Sequence, residues 1–451
     1  MSSLKDRIDK LSPAQLIVVF YCAAVGISIL LLSLPITAQP GVDLSFIDIM
    51  FTAVSAISVT GLTVIQIVDT FSTAGIFILI FILQIGGIGI MTLGTFLWLI
   101  IGKKIGLKER RLIMTDQNQS NLSGLVNLMK QILLIILLIE SVGALILGTY
   151  FLKYYPVWQD AYLHGLFASV SATTNGGFDI TGQSLIPYAD DYFVQCVNII
   201  LITLGAIGFP VLIELKDFLM KNNDKRVRFH FSLYTKLTTV TFFSLMVVGT
   251  ILILVIEFNR FFQGLSWHKS FFYAFFQSTT TRSGGLATMD VSQLSEPTLI
   301  ILCMLMFIGA SPSSVGGGIR TTTFAINILF LINFARGRST IKVFRRELDQ
   351  ADVIKSLAVT LLASFMCAGS LIILSITESH SFLEILFEIC SAFGTVGLSM
   401  GITPDLTVIG KLIIMALMFI GRIGLLTFLV ILGIKQKETL YNYPKEKVII
   451  G

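Results

Sequence analysis

Charged residues are absent from six long stretches: Leu16–Leu34, Phe71–Gly102, Tyr192–Ile213, Leu237–Ile256, Pro297–Ile319 and Ser356–Thr377. Gln131–Leu152 and Leu412–Ile434 are each interrupted by a single charge, Glu140 and Arg422. Each run reaches the roughly 20 apolar residues that a helix needs to cross the hydrocarbon core. The pattern predicts eight full crossings. Shorter apolar stretches lie between successive pairs of runs, at about 10 to 14 residues each, a length that suits a re-entrant segment better than a crossing.

Composition agrees. Of 451 residues, 54% are hydrophobic and 13% charged, against about 25% charged in an ordinary soluble domain. So little polar surface excludes a soluble globular enzyme. Most Lys and Arg fall in five blocks: the N-terminus, Lys103–Arg111 with Lys130, Lys216–Lys236, Arg336–Lys355 and the C-terminal tail. Two apolar runs separate each block from the next. Basic residues are retained in the cytoplasm during insertion, so both termini are expected there, and the charged start followed by Leu16–Leu34 reads as a first crossing. The net charge of +5 is then mainly a topology signal and gives no argument for nucleic acid. Five cysteines without paired spacing and four scattered histidines offer no disulfide framework, zinc site or catalytic triad; no enzyme is expected.

The chain repeats itself. Gly61, Gly177, Gly285 and Gly397 recur at near-equal intervals, with Phe51, Phe167, Phe275 and Phe387 ten positions before them. Six positions before stand Ser55, Ser171, Thr279 and Ser391, and immediately after stand Leu62, Phe178, Leu286 and Leu398. These stretches are the short apolar segments, on the outward side. The unit is a long helix, a short re-entrant helix, a Gly-containing loop and a second long helix. Four units are expected: residues 1–112, 113–224, 225–345 and 346–451. The second helices carry GGIG (Gly86–Gly89), GAIG (Gly205–Gly208) and GRIG (Gly421–Gly424), whereas unit three departs after Gly309 as GASPSSVGGGIR.

Non-helical backbone at membrane depth survives where it is buried in protein or lines a watery cavity. Four such loops on a shared axis meet that condition, and each short helix aims its negative C-terminal end at the axis. Loop carbonyls can then replace the hydration shell of a cation, which glycine permits by accepting unusual backbone angles. Bare carbonyls without a charged ring favour a weakly hydrated monovalent cation, K⁺ before Na⁺. Singly, such glycines are equally well tight turns or helix-packing positions; four in register favour the filter. Pro312 and three consecutive glycines break the unit-three helix, which puts either a movable gate or a fixed kink (Gly309–Gly318) under the loops. Arg422 at membrane depth is a functional-site candidate: a barrier, a partner for loop carbonyls, or one half of a buried pair with Glu140. Arg320 is expected at the inner end of the break, snorkelling to the cytoplasm. Arg282, beside the third loop, is expected to point back into protein or to pair with an acid. Asp179, Asp190, Asp191 and Asp290 form an acidic outer face.

The four loops, the GRIG segment and the Gly/Ser-rich insertion together resemble the Trk/Ktr/HKT superfamily of potassium transporters, most closely the KtrB/KtrD-like membrane subunits of bacterial Ktr systems. The resemblance covers essentially the whole chain. It implies an all-α polytopic membrane protein: four parallel M1-P-M2 repeats, with eight transmembrane helices and four re-entrant pore helices around one pseudo-fourfold pore. Gly61, Gly177, Gly285 and Gly397 match the filter glycines. Val59, Thr60, Asn175, Gly176, Ser283, Gly284, Thr395 and Val396 would supply the other carbonyls. Gly309, Ser311, Pro312, Ser313, Gly316, Gly317 and Gly318, with Arg422, would form the intramembrane gate. It further implies K⁺ as the transported ion, with Na⁺ accompanying it in some systems, and a homodimer in the bacterial plasma membrane. A separate cytosolic KtrA- or KtrC-like RCK ring would bind ATP or ADP, since this chain has no dinucleotide fingerprint in a strand–helix context. Basic inner loops (Lys103–Arg111, Arg336–Arg346) offer contact surface to that ring or to anionic lipid. An alternating-access carrier is the rival, but it calls for inverted repeats, and these copies are parallel.

Overall fold

A computed structural model describes residues 11–89, 92, 106–116, 124–220, 229–338, 340–425, 427–428 and 446. The inner end of the first Phe71–Gly102 run, parts of three basic blocks and the C-terminal tail lie outside the described residues.

Helix α1 spans Pro13–Leu32, opened by a Ser12/Gln15 capping box with Pro13 in its first turn, where the missing proline N–H costs nothing. The short α2 (Phe46–Ser58) follows, capped by Ser45, and then α3 (Thr73–Ile88) and α4 (Leu107–Asp116). Next come α5 (Leu125–Phe151), the short α6 (Trp158–Thr173), α7 (Tyr192–Ala206) and α8 (Phe209–Leu219). The third set is α9 (Leu233–Glu257), the short α10 (Trp267–Thr280), α11 (Glu296–Ile308) and α12 (Thr321–Ala335). A two-stranded hairpin, β1 (Lys342–Val343) with β2 (Arg346–Glu347), precedes α13 (Gln350–Thr377), the short α14 (Phe382–Gly394) and α15 (Val408–Ile423).

Among the described residues, four helices, α1, α5, α9 and α13, are long and apolar enough to span without a break, or five spans if α7 and α8, bent by 104°, count as one. The partner helices α3, α7 and α15 end at the same motif, and α11 ends at Gly309, where the insertion begins. Gly89, Gly208 and Gly424 adopt φ of 91°, 105° and 90° with ψ near 135°, a combination that residues with a Cβ enter only under strain. Hydropathy sees an unbroken apolar run there because glycine and isoleucine are both apolar.

Packing is cyclic. The partner helix of each set lies against the short helix of the next: α3 on α6, α7 on α10, α11 on α14, and α15 back on α2. Polar links reinforce two of these joints, Lys269–Asp190 at 2.5 Å and Lys411–Asp48 at 2.9 Å. The short helices are the inner layer, with Phe51, Phe167, Phe276 and Phe387 at 1% exposure or less, while α1, α5, α9 and α13 leave Leu30, Leu138, Val255 and Phe365 open on the outer surface.

Each long helix is also tied to the start of its partner. Glu257, fully buried at the end of α9, accepts from Ser295 N at 3.0 Å and from the Ser295 and Thr298 hydroxyls at 2.5 Å. Glu378 accepts from Thr407 N and Oγ1 at 3.0 and 2.6 Å. Asp191 caps α7 and accepts from the hydroxyls of Tyr150 and Tyr154 at 2.7 and 2.5 Å. In the first set, Ser72 Oγ donates to Ile36 O at 2.6 Å. A carboxylate suits this place because the helix N-terminus it caps carries partial positive charge. Outside the spanning segments, burial raises the pKa of Asp191, but the hydrogen bonds from Tyr154, Tyr150 and the Val194 and Phe193 amides together outweigh it and hold the carboxyl below its usual range.

Candidate ion pathway

The four short helices end in one backbone conformation. Two residues before each repeated glycine stand Val59, Asn175, Ser283 and Thr395, with φ of 55°, 53°, 70° and 47°. A non-glycine residue held there costs about 1–3 kcal/mol and persists where the surroundings fix it. Here the surroundings are equivalent. Thr60 N, Gly176 N and Val396 N each donate back to the carbonyl five residues earlier, on Ser55, Ser171 and Ser391, at 2.7–2.8 Å, whereas Gly284 N uses Thr280 O at 2.6 Å. Ser55 and Ser391 hydroxyls then accept from Gly61 N and Gly397 N at 3.2 and 3.1 Å. The Ser171 hydroxyl donates to Phe178 O at 2.6 Å. In the third set Thr280 does this work, donating to Leu286 O at 2.7 Å. Thr279, the residue the repeat spacing selects, bonds back into its own helix at Phe275 O.

The four glycines come together in chain order. A Cβ on Gly61 would lie 2.8 Å from Gly177 Cα, one on Gly177 would lie 3.0 Å from Gly285 Cα, and one on Gly397 would lie 3.1 Å from Gly61 Cα. Gly285 closes on Val396 O. No side chain fits anywhere on this ring. Val59, Thr60, Asn175, Ser283, Thr395 and Val396 are fully buried around it.

Beneath the ring lies the unit-three insertion, and its geometry is a pinched loop. The chain leaves α11 at Ile308 and returns to the same place: Ile319 N donates to Phe307 O at 3.2 Å and Arg320 N to Ile308 O at 2.9 Å. Between these points, Gly316 abuts Ser283 and Gly317 abuts Thr395, so that an added Cβ would lie within 2.7 Å of either side chain. The loop therefore touches the third and fourth glycine-loop segments. It also docks sideways on the GAIG break, through Ser311 N to Ala206 O at 3.0 Å and Phe209 N to Ser313 O at 2.8 Å, and on α9, through Tyr234 Oη to Pro312 O at 2.5 Å.

The repeat continues through this loop. Gly317–Gly318–Ile319–Arg320 stands where unit one has Gly86–Gly87–Ile88–Gly89, and Arg320 holds φ 81° and ψ 144°, the angles of the terminal glycine elsewhere. Unit three has the motif with an insertion before it and an arginine in the glycine position. That arginine corrects one expectation. It does not run outward to the cytoplasm: its guanidinium turns back and donates to Ser311 O at 3.3 Å and to Gly316 O. Arg422, also expected to meet backbone carbonyls, donates to Gly86 O of the first break. The Arg422–Glu140 pair does not form; Glu140 accepts from the Gln84 amide of α3.

Arg282 is fully buried and points back into protein, and among the described residues no acid pairs with it. It donates to Leu305 O at 2.8 Å and to Gly309 O at 3.4 Å, carbonyls at the negative end of α11, which stabilise a cation. One side chain thus joins the third glycine loop to the neck of the insertion. Below the loop opens a cavity of about 780 Å³ lined by Tyr21, Tyr234, Ser313, Arg320 and Arg422. The outer acids are engaged locally: Asp190 by Lys269, Asp191 by two tyrosines, Asp179 by Thr181, and Asp290 by Ser292.

Comparison with known proteins places this geometry. A family model described as "TrkH: Cation transport protein" matches residues 14–441. The chain is 64% identical to Ktr system potassium uptake protein D of Bacillus subtilis over 98% of both chains. It is 37% identical to Ktr system potassium uptake protein B of the same organism, over the full length of each. The potassium/sodium uptake protein NtpJ of Enterococcus hirae is 35% identical, again over both full lengths. In fold, the crystal structure of the potassium transporter TrkH from Vibrio parahaemolyticus superposes with a TM-score of 0.74 at 19% identity, covering 94% of this chain and 86% of that one. The chain belongs to the TrkH family of cation transport proteins.

Proposed function

We propose that this chain is the ion-translocating membrane subunit of a bacterial K⁺ uptake system. The observation that carries the proposal is the ring of Gly61, Gly177, Gly285 and Gly397, closed in chain order above a pinched loop. Four M1-P-M2 units, residues 1–112, 113–224, 225–345 and 346–451, surround one pseudo-fourfold pore in the plasma membrane, with both termini cytoplasmic. Carbonyls of Val59, Thr60, Asn175, Gly176, Ser283, Gly284, Thr395, Val396 and the four glycines replace the ion's water. Dehydrating an ion in a low-dielectric medium costs tens of kcal/mol, so many fixed ligands are needed, and a strained but over-determined backbone keeps them fixed. Gly309–Gly318 is the gate, closed by Arg320 and by the Tyr234 and Ala206 contacts. Relatives named for potassium uptake, at up to 64% identity, support K⁺ as the ion. One relative named for potassium and sodium supports Na⁺ as an accompanying ion. The subunit works as a homodimer and takes its signal from a cytosolic nucleotide-binding RCK ring.

Rubidium uptake into vesicles, measured against Na⁺ competition for wild type and Gly177→Ser, tests the reading. The wild type should prefer Rb⁺, and the variant should lose that preference, because the added side chain has no space beside Gly285 and Gly61. A wild type that moves neither ion ends the proposal.

A further inference from the structure

Between α12 and α13 the chain builds something that ion selection and gating do not use. Lys342 pairs with Glu347 and Val343 with Arg346 across the hairpin, which leaves Phe344 and Arg345 as its two-residue tip. Their φ values are 47° and 63°. Positive φ at both positions marks a type I′ turn, which sequences normally build from Asn-Gly or Gly-Gly. A phenylalanine there is an outlier. The chain contains 37 glycines and places none at this tip.

The side chains so presented face outward. Phe344 is 44% exposed, and Arg336, Arg338, Arg345 and Arg346 are all exposed. Lys342 meets Glu347 at 3.9 Å, but none of the four arginines joins an ion pair among the described residues. The hairpin is tethered within a few residues of two apolar helices, which end at Ala335 and start at Gln350. Phe334, at the end of α12, is 71% exposed and stacks on Phe330, an apolar surface of the kind that interfacial segments bury at the headgroup boundary. The base of the hairpin is anchored: Ile341 is buried, Leu348 N donates to Ile341 O at 3.0 Å, and Leu348 lines the cavity below the loop.

We propose that the Phe344–Arg345 tip docks on the anionic headgroup layer of the inner leaflet, with the arginines on lipid phosphates and Phe344 inserted among the upper acyl carbons. The proposal rests on the orientation given above, which puts this segment on the cytoplasmic side. Retention of positive charge during insertion requires only charge, and any flexible basic loop provides it. It gives no reason to hold a phenylalanine in a left-handed conformation. A lipid interface does: it takes an aromatic wedge and forked phosphate-binding guanidiniums side by side. Through Leu348 the docked hairpin adjoins the cavity under the gate, so headgroup charge can bear on ion flux.

The test uses the whole chain in vesicles of phosphatidylcholine, with and without phosphatidylglycerol, whose acyl chains carry bromine as a quencher. The emission that Phe344→Trp adds to that of the wild type, with its three native tryptophans, should be quenched about twofold or more strongly when phosphatidylglycerol is present, and salt should weaken the effect. In parallel, Phe344→Asn with Arg345→Gly restores ordinary turn chemistry and so keeps the hairpin while removing the tip. Wild-type rubidium flux should respond to phosphatidylglycerol, and flux through this double variant should not. Added emission that stays unquenched in both vesicles overturns the proposal. So does a double variant that responds to lipid as the wild type does, or one that loses a cytosolic regulatory ring while its lipid response stays intact, which reassigns the tip to protein contact. A wild type without flux in any vesicle refutes the transport reading instead, and the quenching result still decides the hairpin.

Discussion

The loops at the level of the glycine ring and the helix breaks one layer below come from the same four repeats, yet they are regular to different degrees. Above, four chemically different residues, Val59, Asn175, Ser283 and Thr395, take one conformation. Below, three breaks end in glycine and the fourth carries an insertion and an arginine in the glycine's angles. Under the function proposed above, the difference separates two requirements. Ligands that must surround an ion equally need equivalent backbone from every repeat. A barrier that must move needs only one repeat to differ.

The largest effect should come from breaking the upper regularity. Gly285→Ala puts a methyl group 2.6 Å from Gly177 Cα and against Val396 O, both backbone that cannot step aside. Rubidium uptake should fall by roughly tenfold or more, since a ring distortion of even about 1.4 kcal/mol at the barrier is tenfold in rate. Wild-type flux in this variant would show that the ring is not on the ion path.

Removing the asymmetry below comes next. Excising residues 310–316, while keeping Gly317–Gly318–Ile319–Arg320 as the native motif, makes unit three resemble unit one. Rubidium efflux should rise several-fold with Na⁺ discrimination retained. Unchanged flux would identify the loop as a fixed wall of the vestibule.

A smaller effect is expected where the two layers are joined. Arg282→Gln removes the charge-assisted bonds to Leu305 O and Gly309 O, each worth about 1.5–3 kcal/mol. The variant should unfold several degrees lower and leak, while keeping its ion preference. Loss of preference without leak would mean that Arg282 serves the filter loop alone.

The smallest effect concerns the outer ends of the helices, away from both layers. The Asp191 carboxyl is held below its usual range, so its stabilising contribution is present above the ordinary carboxylate pKa of about 4. It should be lost as pH falls through the lower, folded-state value. Thermal unfolding followed from neutral to acid pH should show this loss, and Asp191→Asn should remove that part of it.

Much of this arrangement is written locally and so can be read from the chain. The glycine, the hydroxyl six residues before it and the phenylalanine ten before it each act within one short helix and its loop, which is why spacing alone finds them. Thr280 shows the limit: a one-residue shift in the third helix hands the hydroxyl's task to a neighbour. The breaks after Ile88 and Ile423 are invisible to hydropathy because breaking a helix with glycine leaves the stretch apolar. The GGIR segment was concealed by its last residue, since an arginine at glycine angles matches no pattern of residue types. The bonds of Glu257, Glu378 and Asp191 depend on which helix ends meet in space. A charge inside an apolar run announces that it has a partner, but not which one: Arg320 found loop carbonyls and Glu140 an amide instead of an opposite charge, and Arg422 reaches the backbone of the first break.

Because the insertion departs from and rejoins α11 at adjoining carbonyls, it is a detour with no net displacement. Its span can lengthen, shorten or change composition without shifting any helix around it. As the proposed gate, such a segment lets descendants of one scaffold differ widely in how readily they open while the proposed machinery for telling ions apart stays untouched.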